Sequence, residues 1–171
     1  LLPGEVNLKN RTKLIKSNGV RLNLFNSEVE IVLHDKNYYI EVHKVNSLLL
    51  DESYLINADN FLFKNSPISG FLELIFDGNV SLYSYSYIIV KNPDYKAALD
   101  VGNKNYELIT KIDYYIGIDN TIALLKNKKA VLDIFDKHKY QVRSFLKKEK
   151  INLSKEKDLV LLTQFCSHLI N

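Results

Sequence analysis

A change in the spacing of apolar residues near Lys126 constrains the fold of this chain more than any other feature of its sequence. Before Lys126, short segments of alternating apolar and polar residues are separated by Asn, Asp and Gly, a pattern typical of strands joined by tight turns. After it, apolar residues recur every three or four positions, as on the buried face of a helix. Because the strands precede the helices instead of alternating with them, the sequence predicts an α+β fold with an antiparallel sheet.

The clearest strand pair surrounds Asp77-Gly78, a dipeptide that favours a tight hairpin turn between residues 71–76 and 80–90. Ser17-Asn18-Gly19 predicts a second hairpin, between residues 13–15 and 20–25, because Asn and Gly tolerate positive φ. Asp35-Lys36-Asn37 predicts a third, between residues 29–33 and 38–45. The other predicted strands are residues 47–50, 54–56, 61–63, 106–118 and 121–125.

About three helices are predicted after Lys126, with Asn127, Asp136 and Ser154 as their N-caps. Their apolar positions should be buried against the sheet. These include Phe135, Phe145, Leu162 and Phe165. The fold prediction is therefore an antiparallel meander or sandwich-like sheet over residues 1–125, with helices packed on it over residues 126–171, in a single domain.

Cysteine and methionine usage bears on the cellular compartment. Cys166 is the only cysteine, so no internal disulfide forms, and it lies on an apolar helical stripe. His168 is two positions away and points elsewhere on a helix, so the pair is not a catalytic dyad. The chain has no methionine, even at position 1. Such a start is expected for an exported protein after removal of a signal peptide, or for a trimmed chain.

No catalytic motif or cofactor motif occurs in the sequence. It lacks G-x-S-x-G, H-E-x-x-H, the Walker loop and G-x-G-x-x-G, and its four histidines have no zinc spacing. His34 and His43 flank one predicted hairpin and are the only histidines placed to meet across it. We therefore predict no cofactor and no metal, and favour a non-enzymatic protein. A hydrolase built from dispersed carboxylates and His43 is an alternative.

Within residues 81–87, tyrosine and serine alternate from Tyr83 onward. A strand would place Tyr83, Tyr85 and Tyr87 on one face. If that face is exposed, the rings form a flat platform suited to sugars, and the protein is a carbohydrate-binding module. If it is buried, the rings belong to the core.

The C-terminal third is rich in lysine, and Lys128, Lys139, Lys147 and Lys150 are candidate binding residues. They suit an acidic partner such as an anionic lipid surface, a polyanionic glycan or an acidic protein patch. Nucleic acid is not favoured, because the net charge is only +3 and arginine, which leads in base-specific contacts, is scarce. No apolar run approaches the ~20 residues of a transmembrane helix.

Residues 70–83, with the sequence GFLELIFDGNVSLY, resemble a hairpin that recurs in uncharacterised exported or envelope-associated proteins of Bacteroidota. The resemblance continues through Tyr114-Tyr115-Ile116 and the lysine-rich helices, over about the last 100 residues. It implies a periplasmic or outer-membrane-associated location and transfers no catalytic residue. The resulting hypothesis is a non-enzymatic binding or assembly module of the bacterial cell envelope. Its partner would be an envelope protein or glycan, and its oligomeric state is left open.

Overall fold

Residues 1–11, 14–64, 67–96 and 98–170 are described by the structure, a computed structural model, and within them eleven strands precede three helices. The strands are β1 (Leu2–Leu8), β2 (Ile15–Asn23), β3 (Glu28–Leu33), β4 (Lys36–Glu41), β5 (Val45–Leu50), β6 (Ser53–Asn57), β7 (Leu62–Phe63), β8 (Phe71–Phe76), β9 (Val80–Lys91), β10 (Glu107–Ile118) and β11 (Thr121–Leu124). The helices are α1 (Lys128–Ile134), α2 (Lys139–Lys148) and α3 (Glu156–Leu169).

The strands form one sheet in the order β4-β3-β2-β1-β5-β6-β8-β9-β10-β11-β7. All neighbours pair antiparallel except β7, which lies parallel to β11. The predicted α+β class, with strands first and helices last, is confirmed. The hairpin at Asp77-Gly78 is also confirmed, since β8 and β9 pair on either side of it. That the chain forms a single domain stays a prediction.

The N-terminal half of the sheet curls over its own apolar face. Leu22 of β2 and Tyr87 of β9 line the same small cavity of about 50 Å³, although β2 and β9 are five strand spacings apart in the sheet. A flat sheet would separate those strands by roughly 24 Å. The curled face buries a core whose fully buried residues all lie on strands: Val6, Val20, Val29, Ile31, Val45, Leu48 and Phe71. One curled sheet thus encloses apolar side chains as two facing sheets do in a sandwich.

The helices bury a second core against β8, β9 and β10. Phe135 and Leu162 are buried there, as the apolar stripe predicts. Phe145 and Phe165 are only partly buried, so full burial was a wrong prediction for this pair. Their rings stack on each other with centroids 4.0 Å apart, and a cavity of about 320 Å³ opens beside them. The two rings thus pack against the edge of this core and cover each other at the surface.

Ser17-Asn18-Gly19 does not form the predicted turn. Strand β2 continues through it, from Ile15 to Asn23. The predicted strand residue Lys13 lies outside the described residues. Leu2 lies opposite Val20, whereas Gly4 lies opposite Ser17. Strand β2 therefore holds one extra residue here, which is a bulge. Turn-forming residues serve a bulge as well as they serve a turn.

Of the three predicted helix caps, one is confirmed. The Asn127 side chain accepts a hydrogen bond from the Ala130 N–H at 2.9 Å. Asp136 instead begins a short 3-10 turn ahead of α2. Ser154 was also a wrong prediction, because α3 begins at Glu156 and the Ser154 N–H is bonded to the Asn152 side chain at 2.9 Å. An Asx turn before the helix thus occupies the position predicted for its cap.

Candidate functional site

Tyr83 is a core residue. Its side chain is only 7% exposed, and its ring contacts that of Phe61 edge-on with centroids 5.1 Å apart. Burial raises the pKa of the Tyr83 hydroxyl. The core interpretation of the tyrosine strand is confirmed at this position, and a platform of three exposed rings is not present.

Tyr85 and Tyr87 are half-buried and stack on each other, with centroids 5.4 Å apart. The Tyr85 hydroxyl donates a hydrogen bond to the Ser69 carbonyl at 2.9 Å, which holds the ring in place. The cavity beside the two rings measures about 50 Å³. Typical small-molecule sites enclose roughly 300–1,000 Å³. The pair therefore does not form a sugar-sized pocket.

The four candidate lysines are spread over the helical region. Lys128 begins α1, Lys139 begins α2, Lys147 is near the end of α2, and Lys150 lies in the turn that follows it. Three are exposed. Lys139 is partly buried and forms ion pairs with Asp133 at 3.9 Å and Asp136 at 3.4 Å, which offset its charge. Their role in binding an acidic partner stays a prediction.

A cavity of about 360 Å³ contains the groups that a hydrolase at His43 would use. Glu41, His43 and Asp59 line it, and His43 Nδ1 is 3.2 Å from Glu41 Oε2. A lysine engages each carboxylate, since Lys44 Nζ lies 2.9 Å from Glu41 and Lys9 Nζ 2.6 Å from Asp59. The bond from Lys44 lowers the pKa of Glu41, whereas a general acid at neutral pH needs a raised one. The geometry does not favour acid–base chemistry here.

An open groove of about 900 Å³ lies beside β1 and β2. His34 and Asp51 line it, together with the ion pair between Glu5 and Lys16, whose atoms are 2.5 Å apart. His34 and His43 occupy separate cavities at opposite ends of the β3–β4 hairpin and do not meet. Within the described residues, no three metal-binding side chains are grouped together.

Cys166 is fully buried in the helical core, and this burial raises the pKa of its thiol to about 12. The prediction that it serves as a small hydrophobic residue is confirmed. Ellman's reagent at pH 8 should leave the native thiol unmodified and should react with it at once in denaturant, because the thiolate is the reactive form. A native thiol that reacts as fast as the unfolded one would contradict this assignment.

The same burial makes the contribution of Cys166 to stability depend on pH. The unfolded thiol ionises near pH ~8.5, while the folded thiol keeps its proton up to about 12. As the pH rises through this window, ionisation favours the unfolded chain. The difference in free energy of unfolding between the wild type and Cys166→Ala should therefore shrink from pH 8 to pH 11. A difference independent of pH would contradict the assignment.

Strands β9 and β10 extend past their neighbours β8 and β11 as a two-stranded arm. The pairing of β8 with β9 reaches only Ser84, and that of β11 with β10 reaches only Tyr115. Beyond these points β9 and β10 pair only with each other among the described residues, from Tyr85 opposite Asp113 to Lys91 opposite Glu107. We call residues 85–91 and 107–113 the arm.

The arm and the loop that joins its strands expose an unusual concentration of apolar side chains. Leu108 is 59% exposed and Ile112 52%. Large apolar patches on a protein surface commonly mark sites of interaction. The exposed apolar residues of the arm and its loop are Ile89, Val90, Leu99, Val101, Tyr106, Leu108 and Ile112.

The loop at the tip of the arm is held by hydrogen bonds. Asp94 accepts a bond from the Asn103 N–H at 2.7 Å, and this bond lowers the pKa of its carboxyl group. The Tyr95 hydroxyl donates to Asp100 at 2.7 Å, and Lys104 lies 4.2 Å from the Tyr95 ring centroid. These bonds fix the loop, and the loop in turn connects the two strands of the arm.

Sequence reasoning found both strands of the arm but missed the arm itself. The signal was present in the predicted lengths. Residues 80–90 and 106–118 form strands about twice as long as their neighbours at 71–76 and 121–125. Two long strands between two short ones extend beyond their neighbours, so a projecting ribbon follows from those lengths.

Comparison with protein-family models, with curated proteins and with solved structures finds no match for this chain. Among the helices of the described residues, none is both long and apolar enough to cross a membrane.

Proposed function

We propose that this protein is a non-enzymatic binding or assembly module of the bacterial cell envelope, and that the arm is its binding element. The observation that carries the proposal is the exposed apolar surface of the arm. Leu108 and Ile112 lie on one strand and face solvent, at a place where burial would stabilise a complex. The partner class we propose is a protein.

The backbone of the arm supports recognition by strand pairing. Natural sheets usually cover, shorten or charge their edge strands, because an exposed edge pairs readily with another chain. Here β10 has no neighbour on one side over residues 107–113 within the described part of the chain. A partner strand added to this edge would gain main-chain hydrogen bonds and would cover the apolar side chains.

The envelope location rests on the resemblance of residues 70–83 and of the lysine-rich helices to exported proteins. An exported protein of this kind meets membrane-associated and soluble envelope partners. The lysines of the helices offer a second, electrostatic contact with an acidic partner, which salt would weaken.

The test replaces two apolar side chains on the arm. Leu108→Thr and Ile112→Thr together place threonine, which favours strands, at both positions and remove most of the exposed apolar surface of β10. Envelope fractions from native cells are passed over immobilised wild type and variant, and the bound proteins are quantified by mass spectrometry. The wild type should retain partners that the variant loses.

Two control variants separate the arm from other surfaces. Tyr38→Thr with Tyr39→Thr alters exposed residues on β4, the strand at one end of the sheet, and should retain the partners. The second control changes Lys128, Lys139, Lys147 and Lys150 to Gln. Loss of partners with the lysine variant but not with the arm variant would transfer binding to the helices and overturn the proposal.

A further inference from the structure

Within the described residues, the open edge of β10 over residues 107–113 has no strand partner, and the direction of its backbone groups is known. The Leu125 N–H donates to the Tyr114 carbonyl on the side of β10 away from β9. Alternate residues of a strand direct their backbone groups to the same side. Leu108, Thr110 and Ile112 therefore present their amide and carbonyl groups to the open edge. Beyond them, Tyr114 is already bonded, which limits the length of any added strand.

We infer that the partner of this edge is a second copy of the chain, with β10 pairing antiparallel to β10 about a twofold axis at Ile109. The inference rests on the proposed function, because it names the partner of the arm. It pairs residues 106–112 of one copy with residues 112–106 of the other. This segment ends before Tyr114, so it fits within the open edge.

Charge complementarity selects Ile109 as the centre. In an antiparallel pair, two opposed residues either both direct their backbone groups toward the other strand or both direct them away. When the two strands are identical, this rule places the twofold axis at a residue and not between two residues. A centre at Ile109 places Glu107 opposite Lys111 of the second copy, twice by symmetry. A centre at Thr110 places Glu107 opposite Asp113 of the second copy. A centre at Lys111 places the two Lys111 residues opposite each other. A centre at Leu108 places Lys111 opposite Asn105 of the second copy, which leaves the lysine without an acidic partner.

The same register extends an ion-pair row over three strands and forms an apolar row across all four. Lys91 Nζ lies 3.3 Å from Glu107 Oε2 within one arm, so Glu107 would lie between Lys91 and Lys111 of the second copy. Ile89 lies opposite Ile109 within one arm. The two copies therefore align four isoleucines in one row. Cross-strand pairs of opposite charge or of apolar side chains stabilise sheets.

The opposite face of the arm gains apolar cover in this register. Leu108 lies opposite Thr110 of the second copy, and Tyr106 lies opposite Ile112. Tyr106, Leu108 and Ile112 are all exposed in the single chain. Pairing thus buries the same surface that carries the proposed function.

The decisive experiment is a charge swap between copies. In Lys111→Glu alone, Glu107 faces a glutamate, and in Glu107→Lys alone, Lys111 faces a lysine, so each variant opposes like charges twice. An equal mixture of the two restores both opposite-charge contacts in a mixed dimer. Sedimentation velocity over a range of concentrations should show a wild-type dimer. Each single variant should have a dissociation constant higher by on the order of tenfold or more, and the mixture should recover.

A cysteine scan checks the register independently. At the twofold centre, the two Ile109 Cα atoms are expected about 4.5 Å apart, which suits a disulfide. The two Thr110 Cα atoms are offset along the strands to beyond about 7 Å, which does not. Under mild oxidation Ile109→Cys should form a covalent dimer and Thr110→Cys should not, and wild type controls for Cys166. Linkage through Thr110 alone would overturn the register.

The inference and the proposed function fail separately. A wild type that stays monomeric at every concentration, or single variants that dimerise as well as the mixture, would overturn the self-pairing. The proposed function fails only if the arm variant Leu108→Thr with Ile112→Thr retains every protein that the wild type captures, untagged copies of this chain included.

Discussion

Leu162→Ala should lower the free energy of unfolding by about 2–5 kcal/mol. Leu162 is completely buried in the helical core, where β9 and all three helices contribute side chains. Removing its outer carbons takes apolar surface from the core and leaves a cavity that neighbours from several elements cannot all collapse to fill. Urea denaturation followed by circular dichroism measures the change.

Leu161 provides a matched control on the same helix. It is 51% exposed, although it precedes Leu162 directly and has the same side chain. Leu161→Ala should change the free energy of unfolding by no more than about 0.5 kcal/mol. An equal loss of the free energy of unfolding in the two variants would contradict the packing of α3 on the sheet, because the same substitution is made on the same helix and the two positions differ in burial.

Asn57→Leu should lower the free energy of unfolding by about 2–4 kcal/mol. The buried Asn57 side chain donates to the Val42 carbonyl at 2.9 Å and to the Val45 carbonyl at 2.7 Å. Its oxygen accepts from the Asp59 N–H at 2.9 Å. Leucine has a similar size but satisfies none of these groups, and each buried group left without a partner costs about 1–3 kcal/mol.

Asn60→Leu is the corresponding control. The Asn60 side chain is exposed and bonds to Asn46 at 3.1 Å, where water can replace the lost bond. It should change the free energy of unfolding by about 0.5 kcal/mol or less. If Asn57→Leu changed the free energy of unfolding as little as Asn60→Leu, the bonds from Asn57 would not be holding the end of β6 to the chain that leads into β5.

Local patterns predicted the elements better than their arrangement. Alternation located β8, β9 and β10, and Asn127 marked the start of α1, because these signals depend on neighbouring residues alone. The bulge in β2 was missed because Asn18-Gly19 suits both a bulge and a turn, and only pairing with β1 decides between them. The partly exposed stack of Phe145 and Phe165 was missed for a similar reason. Helical spacing identifies an apolar stripe but does not show how far the sheet beneath it extends.

The candidate site was predictable only in part. The tyrosine alternation correctly placed three rings on one face of β9, but burial changes along that strand. Tyr83 lies where β8 and β10 flank β9, whereas Tyr87 lies where only β10 does. The same spacing thus gave one core residue and two half-buried residues. Which of the three rings is buried depends on how far the neighbouring strand β8 extends, and the alternation within β9 carries no information about that length.

The position of β7 has a consequence for the order in which the chain folds. Strand β7 is the seventh strand in the sequence but lies at the edge of the sheet, after β11. There Leu62 pairs with Thr121, about 60 residues later in the sequence. Phe61 and Phe63 contact Tyr83 and Tyr115 on the way to that edge. During synthesis, strands β1 to β6 can complete their pairing with one another once residue 57 has emerged from the ribosome. Residues 61–63 must wait until β11 is complete, so the edge strand β7 joins the sheet only as the helices begin to leave the ribosome.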